Sequence, residues 1–450
     1  MEVKQIRTPG LGDSTYIFTH EGQAVLVDPQ RDYDRFLDAI EETGASLRYI
    51  LETHLHNDYI SGGREIAAKT GAELVLPSSA APAYKHTPAF HKEAIGSGAF
   101  SIEPLHTPGH TPEHTSYVIY IDGMPTAIFS GGSLLVGSAG RPDLLGPERK
   151  ESLAMLQYIS VNRLAAFPDE TPLFPTHGEG SFCTAGGCGR TISTIGQEKE
   201  ENALLQVHTV EEFTDTLFSG LGPWPTYYRH MGPGNTFGWD EAPESFNPPA
   251  WTADQLAAAI EADAVTVVDI RSKKAIAAGH VPGAVGLEMG DQVGVWSGWL
   301  LPFDASVVLV ADEGQDVEEA TRQYVQIGMD AVAGVMWGMD EWIASGREVR
   351  TYDVLELPEF LEQYKAGHTG AILDVRMASE FADGALEGSV NTYLPDLQKD
   401  MPEFNGNKEV TVVCRTGHRA TAATKWLMDA GYQPTVLIEA GVPDVLETLS

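Results

Sequence analysis

The chain has little cysteine, few basic residues and no long apolar run. Only three cysteines occur in 450 residues: Cys183, Cys188 and Cys414. So sparse and odd-numbered a set argues against a disulfide framework and for a reducing compartment, where reactive thiols become the question. Lysine and arginine number 29 against 64 aspartates and glutamates, for a formal net charge of −35. That charge repels nucleic acid and anionic lipid, so neither is an expected partner; a solvated acidic surface is its ordinary reading. No stretch approaches the roughly 20 apolar residues a membrane helix needs. The start, MEVKQIRTPGLGDS, shows no signal-peptide core. The expectation is a soluble, cytoplasmic enzyme without a membrane partner, its oligomeric state open and a homo-oligomer among the options.

What is present is α/β patterning, in a chain long enough for about three domains. Residues 1–210 alternate β-rich runs with amphipathic helices: AVLVD (24–28), a helix through Phe36, Ala39 and Ile40, then RYILETH (48–54). SIEPLHTPGH, TSYVIYI, TAIFSGG and TPLFPTHG each read as a strand ending in a Gly- or His-bearing loop, where α/β layers build sites. Residues 220–251, dense in Pro, Gly and aromatics, read as a linker, though too aromatic for a loose one. An internal repeat follows. VVDIRSKKAIAAGHVPGA (267–284) and ILDVRMASEFADGALEGSV (372–390) share a strand, Asp-x-Arg, a helix and a Gly turn. Asp269 and Asp374 lie 105 positions apart, as do Gly283 and Gly388, so two sister α/β domains are expected.

In the second copy, VVCRTGHRATAATKWLMDAGY (412–432) puts Cys414 at the end of a buried strand, with CRTGHR leading into a helix. Backbone N–H groups of such a loop and the positive end of the helix form an anion cradle. Arg415 and Arg419 add charge, so the thiolate is expected to be favoured, ready to attack a sulfur atom or to hold a persulfide. In the first copy, ADEGQD stands against CRTGHR, with Ala311 at the cysteine's place and Asp316 at that of Arg419. Acidic groups where an anion would sit make that copy inactive.

Near the amino terminus, THLHNDYISGG (53–63) sets His54, His56 and Asp58 two apart on a strand end, a spacing that points them into one cavity. TPGH adds His110 and PTHG adds His177. Imidazole with carboxylate suits zinc or ferrous iron.

Residues 350–450, through DVR, the Gly turn and CRTGHR, resemble the rhodanese family. Phosphatases of that fold carry one more residue between cysteine and closing arginine, so the spacing of Cys414 and Arg419 favours sulfur over phosphate chemistry. VDPQRD, THLHND, TPGHT, GRPDLLG and PTHG over residues 1–210 resemble the metallo-β-lactamase fold, in particular its persulfide dioxygenase branch fused to a pseudo-rhodanese and an active rhodanese. The resemblance implies an α/β architecture: an αββα sandwich with its linker over 1–240, an inactive rhodanese-like domain over 252–346 and an active-type one over 352–450. It implies a low-molecular-weight persulfide or thiosulfate as substrate. Fe(II) is the expected metal and Zn(II) the alternative, the iron held by two histidines and one aspartate. His54 and His110 match two ligands. Gly132 and Ser138 stand where aspartates are expected, so the third ligand is left among His56, Asp58 and His177. Tyr59 stands where dinuclear hydrolases have a histidine, which implies one metal rather than two, and His114 is expected to orient its loop. Arg141 resembles a residue that pairs with a substrate carboxylate, with a salt bridge to Asp143 as the alternative; Cys183 is a candidate sulfur acceptor. Two other readings stay open: a zinc-dependent thioester hydrolase, and a metal-poor scaffold in which Cys414 alone works.

Overall fold

The computed structural model describes residues 1–96, 98–184 and 189–449, so Cys188 lies outside the described residues. The chain divides into two units, Met1–Pro243 with Val325–Gly328, and Glu244–Tyr324 with Met329–Ser450.

The first unit is a sandwich of two sheets. One runs Glu2–Thr8, Asp13–His20, Gln23–Val27, Ser46–Leu51, Glu73–Pro77, Thr87–Ala89 in spatial order. The other runs Ser193–Thr194, Pro172–Pro175, Met124–Gly131, Thr115–Ile121, Ser101–His106. Side-chain alternation along each strand sorts residues into layers. In Gln23–Val27, Val25 and Val27 join Tyr117, Ile119 and Phe129 of the second sheet in one core between the sheets. Ala24 and Leu26 point the other way, onto Phe36, Ala39, Ile40 and Ile66 of helices Asp34–Thr43 and Gly63–Thr70. On the outer face of the second sheet, Val118 and Ile128 pack with Val161 and Leu164 of helix Pro147–Ala165 and Phe213 of helix Val210–Ser219. The layers are thus helix, sheet, sheet, helix, and each fully buried side chain of this kind contributes roughly 1.5–3 kcal/mol. The site histidines sit on loops following strands Ser46–Leu51, Ser101–His106 and Pro172–Pro175.

The Pro/Gly-rich stretch after residue 220 differs from a linker. It holds helix Tyr228–Phe237 despite Pro233 inside it, with Tyr228, Met231 and Asn235 buried. Packing by these large side chains outweighs the proline's cost.

The second unit contains two all-parallel sheets. Val285–Gly286, Thr266–Asp269, Val307–Ala311 and Val332–Trp337 form the first. Asp353–Leu355, Gln433–Leu437, Glu409–Val413, Ala371–Asp374 and Ser389–Asn391 form the second. The repeat recurs atom by atom. Arg271 grips Asp269 through Nε (2.9 Å) and Nη2 (2.7 Å) and donates to the Gly279 carbonyl at 2.7 Å. Arg376 does the same with Asp374 and the Gly384 carbonyl, at 3.0, 2.7 and 2.7 Å. These buried arginine–carboxylate forks lock the strand-to-helix turn in both copies. Gly283 and Gly388 both turn with left-handed φ, 81° and 79°, which favours glycine.

Candidate metal centre and sulfur cradle

Three imidazoles of the first unit meet in a fully buried cluster. Ring centroids of His54, His110 and His177 lie 4.8 to 5.3 Å apart. Hydrogen bonds fix where each proton sits. Burial opposes the charge of Asp28, yet His56 and the hydroxyls and amide around it hold its carboxyl below the ordinary range. It therefore accepts the Thr53 hydroxyl proton, at 2.7 Å. Thr53 Oγ1 is left to accept from His54 Nδ1–H at 2.9 Å. His110 Nδ1 faces the Arg141 carbonyl at 2.9 Å, which can only accept. His177 Nδ1 donates to Asp13 Oδ1 at 2.8 Å. Each Nδ1 thus carries a proton, and the three Nε2 atoms, the ones a metal would take, converge. Those of His54 and His177 stand 3.4 Å apart, and His110 Nε2 has no hydrogen-bonding partner among the described residues. Converging Nε2 atoms in a buried pocket call for a cation between them, a proton or a metal ion; the donor set fits a metal ion, with its ligand atoms within 4.8 Å of one another. Burial holds His54 and His110 neutral, His110 being lowered to about 3, as ligation requires. At His177 burial works against the charge, but Asp58 and Asp13 raise the imidazole well above its ordinary value, so a metal there must displace its Nε2 proton.

The other site residues sit around this triad. His56 turns its Nε2 to the Tyr59 hydroxyl (3.0 Å), Asp28 (3.2 Å) and Glu52 (3.4 Å), while the Tyr59 ring stacks on it at 4.2 Å. Burial works against its proton, but Asp28 and Glu52 raise His56 to about 9. Tyr59 therefore braces His56 where a second nitrogen ligand would stand. Asp58 lies 3.3 Å from His177 Nδ1, and His56, Asp58 and His177 form a neighbouring ligand-competent group. His114 uses both ring nitrogens, Nδ1 toward Thr107 Oγ1 and Nε2 accepting the Gly132 amide, each at 2.9 Å; it orients the loop.

Gly132 shows how the missing aspartate is accommodated. A Cβ there would stand 2.3 Å from His110 Cδ2, so the His110 ring occupies the space a carboxylate side chain would need.

Two sequence-based assignments require correction. Arg141 is buried, and its guanidinium is spent internally: Nε and Nη2 on Asp143 at 2.7 and 2.9 Å, Nη1 on the Phe182 carbonyl at 2.9 Å and Nη2 on the Gly222 carbonyl at 2.8 Å. No donor pair is left for a substrate carboxylate, and the internal salt bridge is its role. Cys183 is fully buried, 3.8 Å from the Tyr228 hydroxyl, and burial with Asp58 and Asp13 nearby pushes its thiol well above the ordinary value. A sulfur acceptor needs access and an ionised thiol, and Cys183 has neither.

Sequence reasoning missed Asp13 and Asn235. Asp13 heads the second strand in LGDST and bridges to His177. Asn235 donates to the His56 and Tyr59 carbonyls, both at 2.8 Å, and ties the metal loop to the late helix. Asp13→Asn is expected to weaken metal binding 10- to 100-fold, the usual cost of losing the carboxylate behind a ligating histidine. Competition titration with a chromophoric chelator measures it.

In the second unit, strand Glu409–Val413 delivers Cys414 to the amino end of helix His418–Asp429. The Gly417 amide donates to Cys414 Sγ at 3.1 Å, and Gly417 takes a left-handed φ of 90° to do so. Gly441 approaches just as closely, since a Cβ there would meet the Arg415 carbonyl at 2.1 Å. Arg415 is exposed. Arg419 is gripped bidentately by Glu380, at 2.5 and 2.8 Å; burial opposes its charge, and Glu380 with the Cys414 sulfur raises it. In the first copy, the Asp316 carboxylate instead accepts the Glu319 amide at 2.9 Å, as a helix cap in the position of Arg419. Gly314 keeps the matching φ of 89°, but strand Val307–Ala311 ends without a thiol.

Comparison with known proteins agrees with both halves. The metallo-beta-lactamase superfamily matches residues 7–177, and the rhodanese-like domain matches twice, at 252–345 and 356–448. The persulfide dioxygenase ETHE1, mitochondrial, of Mus musculus is 30% identical over 43% of this chain and 71% of its own length. A hydroxyacylglutathione hydrolase of Chromohalobacter salexigens is 32% identical over 41% of this chain and 78% of its own. The crystal structure of a metallo-beta-lactamase from Staphylococcus aureus superposes with a TM-score of 0.66 at 28% identity, covering 75% of this chain and 99% of that one. No helix among the described residues is long and apolar enough to cross a membrane. The chain belongs to the metallo-beta-lactamase superfamily through its first unit, and two rhodanese-like domains follow it.

Proposed function

We propose that the protein handles sulfane sulfur at two centres, a mononuclear metal site acting on a low-molecular-weight persulfide and a sulfurtransferase centred on Cys414. The observation that carries the reading is the pairing of a three-histidine pocket with a thiol hydrogen-bonded by the Gly417 amide at the head of a helix. His54, His110 and His177 would hold one metal ion. Bound there, Fe(II) supplies the oxygen chemistry that persulfide oxidation requires. Thr53, the Arg141 carbonyl and Asp13 keep the three rings in the ligating tautomer, and His114 holds the Gly132 strand end in register.

At the second centre the Cys414 thiolate attacks the outer sulfur of thiosulfate. The new S–S bond forms as the sulfur–sulfonate bond breaks; sulfite leaves with the electron pair, and a Cys414 persulfide anion remains. The Gly417 amide and the helix end stabilise that anion. Sulfite attack on the persulfide runs the same step backwards and returns thiosulfate.

One observation favours a second reading for the metal centre. With Gly132 in place of the aspartate, the converging ligands are three imidazoles with no carboxylate among them, a set that suits a zinc hydrolase as well as iron. Oxygen-electrode measurements with glutathione persulfide separate the two. The iron-loaded chain is expected to consume oxygen and release sulfite, and a His54→Ala variant is not. Thioester cleavage by the zinc-loaded chain, with no oxygen uptake by the iron-loaded one, would favour the hydrolase.

A further inference from the structure

The inactive rhodanese copy places two charged side chains against the cysteine loop of the active one. Lys273, with only 5% of its side-chain surface exposed, lies between Glu288 at 2.6 Å and Glu439 at 3.2 Å. The Lys273 amide also donates to Glu288, at 3.1 Å, so lysine and glutamate are held as a unit. The unit reaches the loop at two consecutive residues. Lys273 Cδ stands 3.3 Å from where a Gly417 Cβ would be, and Glu288 Oε2 is 3.5 Å from His418 Nε2. Gly417 gives Cys414 its hydrogen bond, and His418 opens the helix behind it. Gly286 of the same copy packs on that helix too, since a Cβ there would meet Thr421 Cγ2 at 2.9 Å. At the 105-residue offset of the repeat, the active copy has Ala378 and Tyr393 in place of Lys273 and Glu288. The pair therefore belongs to the inactive copy alone.

We propose that Lys273 and Glu288 are positioning residues for sulfur transfer at Cys414, an inference resting on the sulfurtransferase reading above. The lysine stem fixes Gly417 so that its amide stays aimed at the sulfur, and Glu288 steadies His418. The ammonium also neutralises Glu439 and Glu288, the latter a carboxylate that reaches His418 of the loop and would otherwise oppose an anionic sulfur donor. Lys273→Met keeps the stem and removes the charge.

Thiosulfate:cyanide transfer and the alkylation rate of Cys414 by iodoacetamide at neutral pH, both on the full chain, test the proposal. For Lys273→Met the expected result is a kcat/KM lower by on the order of tenfold, the scale of one weakened hydrogen bond to a charged group, with KM for thiosulfate raised and alkylation slowed. Lys273→Arg is expected to recover most of the loss, and the double variant K273M/E288Q part of it, because the uncompensated carboxylate is gone. Wild-type kcat/KM and alkylation in Lys273→Met, or a loss that arginine does not repair, would overturn it. Should Lys273→Met fail to fold, Glu288→Gln, at a residue with 20% of its side chain exposed, carries the same test through His418. If the unaltered chain transfers no sulfur, the sulfurtransferase reading fails, while the alkylation contrast still decides the positioning role.

Discussion

Cys414→Ser is expected to reduce thiocyanate formation from thiosulfate and cyanide to the rate without protein. The substitution is nearly isosteric in a buried position, and the serine hydroxyl can still accept from the Gly417 amide, so the loop should keep its shape. What is lost is chemical: an alcohol does not ionise near neutrality and cannot hold a persulfide. The first copy offers no substitute, because its strand ends at Ala311 and its loop carries Asp312 and Asp316. Activity surviving in Cys414→Ser would place the transferring sulfur elsewhere. The assay is a colorimetric reading of thiocyanate on purified chains.

His177→Ala is expected to cost at least a hundredfold in metal affinity, more than the 10- to 100-fold typical of a residue behind a ligand. It removes one of three converging Nε2 atoms and also strips the partner from Asp13 and Asp58, both within 3.3 Å of its Nδ1. His114→Ala should cost less, since both of its nitrogens are already engaged by Thr107 and Gly132. Metal analysis after dialysis compares the two. A His177→Ala chain that keeps its metal while His56→Ala loses it would move the site toward His56.

Much of this was legible because short motifs act locally. His54, His110 and His177 each lie on the loop just after a strand, and the loops at strand ends of an α/β layer converge. The repeat was legible because Asp-x-Arg and a Gly turn recur at one offset, and the structure gives both copies the same arginine fork. Ligand partners were harder to see, because they come from distant sequence. Asp13 lies 164 residues before His177, Asn235 179 residues after His56, and Glu380 39 residues before Arg419. No local pattern announces such pairs. The sequence also marked Arg419 as a charge for the cradle without revealing the carboxylate that grips it. Gly132 announced a missing ligand, yet only the approach of His110 shows what fills the space. Helix Tyr228–Phe237 was hidden because glycine and proline argue against a helix locally, and the packing of Tyr228 and Met231 is tertiary. Arg141 and Cys183 misled for the opposite reason: the resemblance supplied roles that their burial does not allow.

The most direct test is the metal stoichiometry of the unaltered chain, titrated anaerobically with Fe(II) and separately with Zn(II), with the ligand shell read by X-ray absorption. The account predicts one ion per chain bound by three imidazole nitrogens. Two ions per chain, or none retained at micromolar concentration, would contradict it.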